Sequence, residues 1–133
     1  MTLRRSRTSA LLVALLALSA AAAADELAPT IAPGELHERQ QRGTAPLVID
    51  VRTPEEYATG HVPGAVNIPH TELSARLGEV ESESGVALYC LMGPRARLGE
   101  KTLREAGVRD ILHLDGGLSA WREAGLPVES PGE

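Results

Sequence analysis

At 133 residues the chain has the length of one domain. Its formal net charge of −5 gives it no electrostatic reason to seek nucleic acid or an anionic membrane surface. Cys90 is its one cysteine, which excludes an internal disulfide framework, and with no phenylalanine and 2% aromatic residues any core must be aliphatic.

The N-terminus reads as a leader. Arg4, Arg5 and Arg7 are followed by an apolar, alanine-rich run from Ala10 to Ala24 and then by Asp25-Glu26. A basic segment, a short apolar segment and the small-residue site Ala22-x-Ala24 are the layout of a secretory signal peptide. The run is too short and too rich in alanine to be a preferred membrane span. The expectation is residues 1–24 as signal peptide, cleavage after Ala24, and a domain over residues 25–133 with its core at about 31–128. The product would be periplasmic or secreted, without stable membrane association after cleavage. Arg4-Arg5 also raises twin-arginine export, but Ser6, Arg7 and Thr8 replace the apolar residues expected after the pair. Losing three arginines takes the net charge from −5 to −8.

Beyond the leader, short apolar runs alternate with helical patterns. Ile31 is placed to begin an edge strand. Glu35 to Gln41 reads as a polar helix with Leu36 facing inward and Gly43 ending it. Leu47-Val48-Ile49 is a buried strand with Asp50 and Arg52 at its carboxyl end. Thr53 then has the features of a helix N-cap, with Pro54 at the first helical position and Glu56 at capping-box spacing. Gly60 closes that helix, and His61-Val62-Pro63-Gly64 reads as a turn. Ala65 to Ile68 is a short strand, Thr71 to Leu77 a further helix, and Glu79 to Gly85 an acidic loop. Val86 to Tyr89 is a fully apolar strand. The helix after Cys90 carries Gly99, Leu103 and Ala106 on its pattern, stops at Gly107, and spaces Glu100 and Arg104 as a surface i,i+4 pair. Val108 to Leu114 supplies the last strand, and Asp115-Gly116-Gly117 leads into a helix through Trp121 that Gly125 and Pro127 terminate. No internal repeat is present.

Strands that are continuous apolar runs and alternate with helices point to an α/β fold, a parallel sheet covered by helices on both faces. Functional groups then gather at the carboxyl ends of the strands, where Asp50, Arg52, Cys90 and Asp115 all fall.

Cys90 is the centre of this pattern. It sits on a tight loop between a strand and a helix, where the first amides of the helix lack partners and form an anion site able to hold a negative sulfur or an incoming oxyanion. Gly93 permits backbone conformations closed to other residues, and Arg95 adds a fixed positive charge with a planar donor fork. An inert, buried cysteine is the bland alternative, and the surrounding loop chemistry favours the reactive one.

The sequence Cys-x-x-Gly-x-Arg between strand and helix resembles the active-site loop of the rhodanese, or sulfurtransferase, family. Ile49-Asp50-Val51-Arg52, Glu56-Tyr57, Gly60-His61-Val62-Pro63-Gly64-Ala65 and Asp115-Gly116-Gly117 with Trp121 follow the family order, and the likeness covers about Ile31 to Val128. It implies a three-layer α/β/α fold around a mainly parallel five-stranded sheet. It also implies Cys90 as nucleophile and Leu91, Met92, Gly93, Pro94 and Arg95 as the loop that binds substrate and persulfide. Sulfane sulfur would pass from a donor such as thiosulfate, through a persulfide on Cys90, to cyanide or a thiol. Arg95 would meet the sulfonate-like end of the donor.

Two residues depart from the family loop: Pro94 has no N–H and deletes a donor, while Met92 replaces a small or polar residue and makes the pocket mouth more apolar. Asp50, Arg52, Glu56, His61 and Asp115 are expected to support the site, with Arg52 pairing Glu56 or a neighbouring carboxylate and His61 acting in turn and packing. Two other readings stand beside this one. A non-turnover sulfane-sulfur carrier or thiol-redox module needs the same loop. Dual-specificity phosphatases and arsenate reductases share the architecture but place five residues between cysteine and arginine, and here Leu91 to Pro94 are four. The histidines have no metal-ligand spacing, and Cys90 with Met92 is too little to define a copper site, so no metal and no cofactor is expected. Partners are a small-molecule sulfur donor and acceptor, and a protein thiol, met by a monomer.

Overall fold

The computed structural model describes residues 27–131, so the leader expected over residues 1–24 lies outside the described residues. Five parallel strands form one sheet: β1 (Thr30–Ile31), β2 (Leu47–Asp50), β3 (Val66–Asn67), β4 (Val86–Tyr89) and β5 (Ile111–Leu114), in the order β1-β5-β4-β2-β3. Helices α1 (Pro33–Gln41), α2 (Pro54–Ala58), α3 (Pro94–Glu105) and α4 (Gly117–Glu123) complete the α/β arrangement expected from the alternation. Among the described residues no helix is long and apolar enough to cross a membrane.

Strand periodicity divides the core. Ile49, Val51, Leu88, Cys90 and Ile111 face one side of the sheet, where Ala96 and Leu103 of α3 and Leu73 cover them. Val48, Ala87, Tyr89 and Leu114 face the other, against Leu36 of α1 and Leu118 and Trp121 of α4. β4 is buried at every position, as a central strand with two covered faces must be. Trp121 is fully buried and donates from its indole N–H to the Pro127 carbonyl at 2.8 Å, which satisfies the polar end of the largest core residue.

Local signals explain most boundaries. Thr53 caps α2 in a complete capping box with Glu56, and Pro33, Pro54 and Pro94 open α1, α2 and α3, where a missing N–H costs nothing. The segment expected as a helix over Thr71 to Leu77 instead forms two 3₁₀ turns, Leu73–Ala75 and Leu77–Glu79. It has one fully buried anchor, Leu73, and no side-chain cap, too little to stabilise an isolated α-helical turn. The last strand begins at Ile111 instead of Val108, because the Val108 amide returns to the Leu103 carbonyl at 2.9 Å to close α3.

Candidate active site

The strand order brings the end of β4, the start of α3 and the end of β5 to one edge, and a cavity of about 310 Å³ opens there. Cys90, Met92 and Gly93 line it from the loop after β4. Ala96, Arg97 and Glu100 line it from α3, on the stripe that helical periodicity places below Gly93. His113, Asp115, Gly116 and Gly117 close it from β5 and the turn beyond, and Leu27, Ala28 and Thr30 from the opposite wall.

Cys90 as a residue is almost fully buried, yet its Sγ accepts a hydrogen bond from the Gly93 N–H at 3.0 Å. Gly93 is the N-cap of α3 with φ of 145°, a conformation that L side chains rarely adopt. That turn aims its amide at the sulfur. The back of the loop is fixed from α4, whose Leu118 and Ser119 amides donate to the Cys90 and Leu91 carbonyls at 3.0 and 3.1 Å. Such close approach needs Gly117: its φ is +62°, and a Cβ there would stand 2.6 Å from both carbonyl oxygens. The Asp115-Gly116-Gly117 segment is thus a seat for the cysteine loop.

Arg95 does not present its fork to the cavity. Its Nη1 and Nη2 donate to both carboxylate oxygens of Glu56 at 2.5 and 2.9 Å, a bidentate pair that ties α2 to the start of α3. With Arg95 hydrogen-bonded to it, the Glu56 carboxyl is held down to about 2. Of the two partners expected for Arg52, Glu56 or a neighbouring carboxylate, the structure therefore has the second. Arg52 lies with Asp50, donating from Nε and Nη2 to its oxygens at 3.0 and 2.7 Å and from Nη2 to the Gly60 carbonyl at 2.8 Å. A side chain two residues along from Asp50 reaches its carboxylate without leaving the core, whereas Glu56 stands half-buried in the first turn of α2, within reach of Arg95. The cation on the cavity wall is Arg97, which is exposed and makes no ion pair among the described residues.

Asp50, Arg52 and His61 do not line the cavity. Asn67 Nδ2 donates to the Asp50 and Arg52 carbonyls at 3.0 and 2.9 Å, and the Arg52 guanidinium lies 5.9 Å from the centre of the Tyr89 ring. Burial, followed by the Asp50 charge, raises the Tyr89 phenol far above its ordinary range, and its oxygen accepts from the Val62 amide at 3.0 Å. The His61 ring stacks on Tyr57 at 3.6 Å, in keeping with a turn and packing residue.

The pair that the sequence misassigned is Glu100 with Arg104. The ion pair forms, at 2.8 Å, but Glu100 is 4% exposed and its burial changes its meaning. Its carboxylate also accepts from the Ala28 amide at 2.7 Å and meets His113 Nε2 at 2.5 Å. Burial acts to raise the Glu100 pKa, yet the hydrogen bonds from His113 and the Ala28 amide and the charges of His113 and Arg104 leave it below the ordinary carboxylate value. Among the described residues no three His, Cys, Asp or Glu side chains converge to hold a metal ion.

A family model described as the rhodanese-like domain matches residues 32–124. The chain belongs to the rhodanese-like domain family. A protein of Allochromatium vinosum named sulfurtransferase is 35% identical over 85 residues, covering 64% of this chain and 79% of that protein. An HTH-type transcriptional regulator of Mycobacterium tuberculosis is 43% identical over 118 residues, 83% of this chain and 50% of the regulator. The crystal structure of a rhodanese-related protein from Thermoplasma volcanium superposes with a TM-score of 0.67 at 31% identity, covering 76% of this chain and 97% of that one. This rhodanese-like chain spans about half the length of several curated relatives that it matches, 50% and 55% in two cases. The all-parallel sheet with helices on both faces is the rhodanese-like fold that the sequence motifs imply.

Proposed function

We propose that the chain is a sulfurtransferase that carries sulfane sulfur as a persulfide on Cys90. One observation carries the reading: the single cysteine opens on a cavity with the N-cap amide of a twelve-residue helix donating to its Sγ, where a negative sulfur is stabilised. In the first half-reaction the Cys90 thiolate attacks the outer sulfur of a donor such as thiosulfate. A new S–S bond forms, the donor's S–S bond breaks, and sulfite leaves with the electron pair. In the second, an acceptor nucleophile attacks the outer persulfide sulfur and Cys90 departs as thiolate, giving thiocyanate when the acceptor is cyanide. Arg97, not Arg95, is the cation suited to the donor's sulfonate end, since Glu56 occupies the Arg95 fork.

The carrier reading has an observation of its own. Met92 and Leu91 are 71% and 39% exposed beside Cys90, and apolar side chains at the mouth of a site suit a protein acceptor. The charge and layout of residues 1–26 further support export with cleavage after Ala24, so the proposed compartment is the periplasm or the medium.

Mass spectrometry of the expressed protein, before and after thiosulfate and then cyanide, tests all three. A gain of one sulfur on Cys90 that cyanide removes and excess thiosulfate restores, turn after turn, is the result expected of an enzyme. One discharge without recharging identifies a carrier, no gain sinks both, and an N-terminus at Asp25 reports the cleavage. Cys90→Ser should lose all sulfur uptake with its circular dichroism unchanged.

A further inference from the structure

We propose that His113, positioned by Glu100, takes the proton from a thiol acceptor as that thiol removes sulfur from Cys90. The proposal rests on the sulfur-transfer reading and specifies the acceptor class for the same site: thiols that arrive protonated.

His113 is the register partner of Leu88 across the β4–β5 pair. Side chains alternate along a strand, so Leu88 and Cys90 share a face and His113 flanks Cys90 on it, one diagonal step of about 8 Å between Cα atoms. Both line the cavity.

The ring's chemistry is set by Glu100. An ionised carboxylate only accepts, so the Nε2 that meets it at 2.5 Å is a protonated nitrogen, and whenever the ring is neutral the lone pair is on Nδ1. Glu100 is itself held at three points, by His113, the Ala28 amide and Arg104. Nδ1 has no hydrogen-bond partner among the described residues. Among the described residues the one sealed, unpartnered side-chain nitrogen or oxygen is His37 Nδ1, so His113 Nδ1 is not sealed off, and His113 is one of the residues that line the cavity. The charged and titratable groups around the ring are Glu100, Arg97 and Arg104 from α3, Cys90 from β4 and Asp115 from the end of its own strand. On the remaining side β1 offers Thr30, its register partner, and the segment before it the Ala28 amide.

A carboxylate that fixes a tautomer, and an imidazole with an unpartnered nitrogen that shares its cavity with a sulfur nucleophile, supply the parts of a general-base arrangement. The acceptor's S–H bond breaks and its proton goes to Nδ1. The acceptor sulfur bonds to the outer persulfide sulfur, the S–S bond to Cys90 breaks, and that electron pair stays on Cys90. The imidazolium, with the Glu100 carboxylate beside it, then returns the proton to Cys90 or to water. Thiol and persulfide exchange one sulfur, and no external oxidant or reductant is needed.

The test loads Cys90 with thiosulfate, removes the donor, and follows discharge in a single turnover by glutathione and by sulfite at pH 7 and pH 9. A thiol with a pKa of about 8.5 is only about 3% ionised at pH 7. His113→Gln should therefore slow glutathione about tenfold to thirtyfold at pH 7 and less than about twofold at pH 9. Sulfite, which at pH 9 brings no proton to lose, should be unaffected there. Glu100→Gln should give the same pattern in weaker form. Equal slowing at both pH values, or equal slowing of sulfite, overturns the proposal in favour of a packing role. An unchanged glutathione rate overturns it outright. If His113→Gln does not fold, the unmodified protein decides: a glutathione rate that falls about tenfold per pH unit below 8.5, tracking free thiol ionisation, overturns it. Failure of Cys90 to accept any sulfur overturns the transfer reading, a result distinct from failure of the relay in a protein that loads.

Discussion

Asp50 and Glu100 are the two buried carboxylates among the described residues, 0% and 4% exposed, and they are spent differently. Around Asp50 the carboxylate is taken up by the protein's own groups: Arg52 supplies its backbone amide, Nε and Nη2, Nη2 also donates to the Gly60 carbonyl, and Asn67 donates to the Asp50 and Arg52 carbonyls. Around Glu100 the set is left open, because the histidine it fixes lines the cavity and keeps one nitrogen without a partner among the described residues. A buried ion pair that is closed on itself holds a loop in place. One that is left open by a single atom becomes a tool.

The sharpest way to break this comparison is to remove one carboxylate at a time. Asp50→Ala strands the Arg52 guanidinium in the core and should cost about 3–5 kcal/mol in urea unfolding, with sulfur loading per folded molecule little changed. Equal stability losses for Asp50→Ala and Glu100→Gln, or a loading defect confined to Asp50→Ala, would erase the distinction. Gly117→Ala attacks the seat of the cysteine loop. Its Cβ meets two carbonyl oxygens at 2.6 Å, and its φ of +62° penalises any side chain, so the expected loss is about 3 kcal/mol together with slower loading of Cys90.

The two arginines in the first turn of α3, Arg95 and Arg97, provide a finer contrast. Arg97→Ala should raise the KM for thiosulfate several-fold while sparing an uncharged persulfide donor, whereas Arg95→Ala, which only frees Glu56, should affect both donors alike. Donor competition at fixed ionic strength measures the difference, and a thiosulfate-specific loss in Arg95→Ala would return the recognition role to Arg95. The smallest effect is in pH. Glu56 is depressed in the fold, from 4.5 to about 2, so its pair with Arg95 contributes stability above pH 4.5 that is lost as pH falls through 2. The Glu56 side chain is 35% exposed and that of Arg95 32%, so water screens the pair and the surface-pair range of about 1 kcal/mol or less applies. Glu56→Gln should flatten that part of the acid melting curve, which thermal unfolding between pH 2 and 5 would register.

What the sequence disclosed was local. The capping box of Thr53 and Glu56, the proline that opens α3 and the apolar run of β4 each write their structure into adjacent residues, and the order of motifs located Cys90 between strand and helix. Glu100 was hidden for the opposite reason. Its spacing to Arg104 is that of any exposed helical pair, and its burial is decided by Ala28, 72 residues away, and by His113 on another strand. Arg95 was assigned to a ligand for want of its partner Glu56, 39 residues earlier. The one available hint was that Glu100 falls four residues after Ala96 and seven after Gly93, on the stripe that faces the loop.

The bond from the Ala28 amide to Glu100 has a practical consequence. The peptide just ahead of β1 is stitched to the wall of the reaction chamber, so any fusion or purification handle joined close upstream of Leu27 pulls on the group that orients His113. Handles belong at the far end of the chain, after Pro131, where a tether leaves that stitch undisturbed.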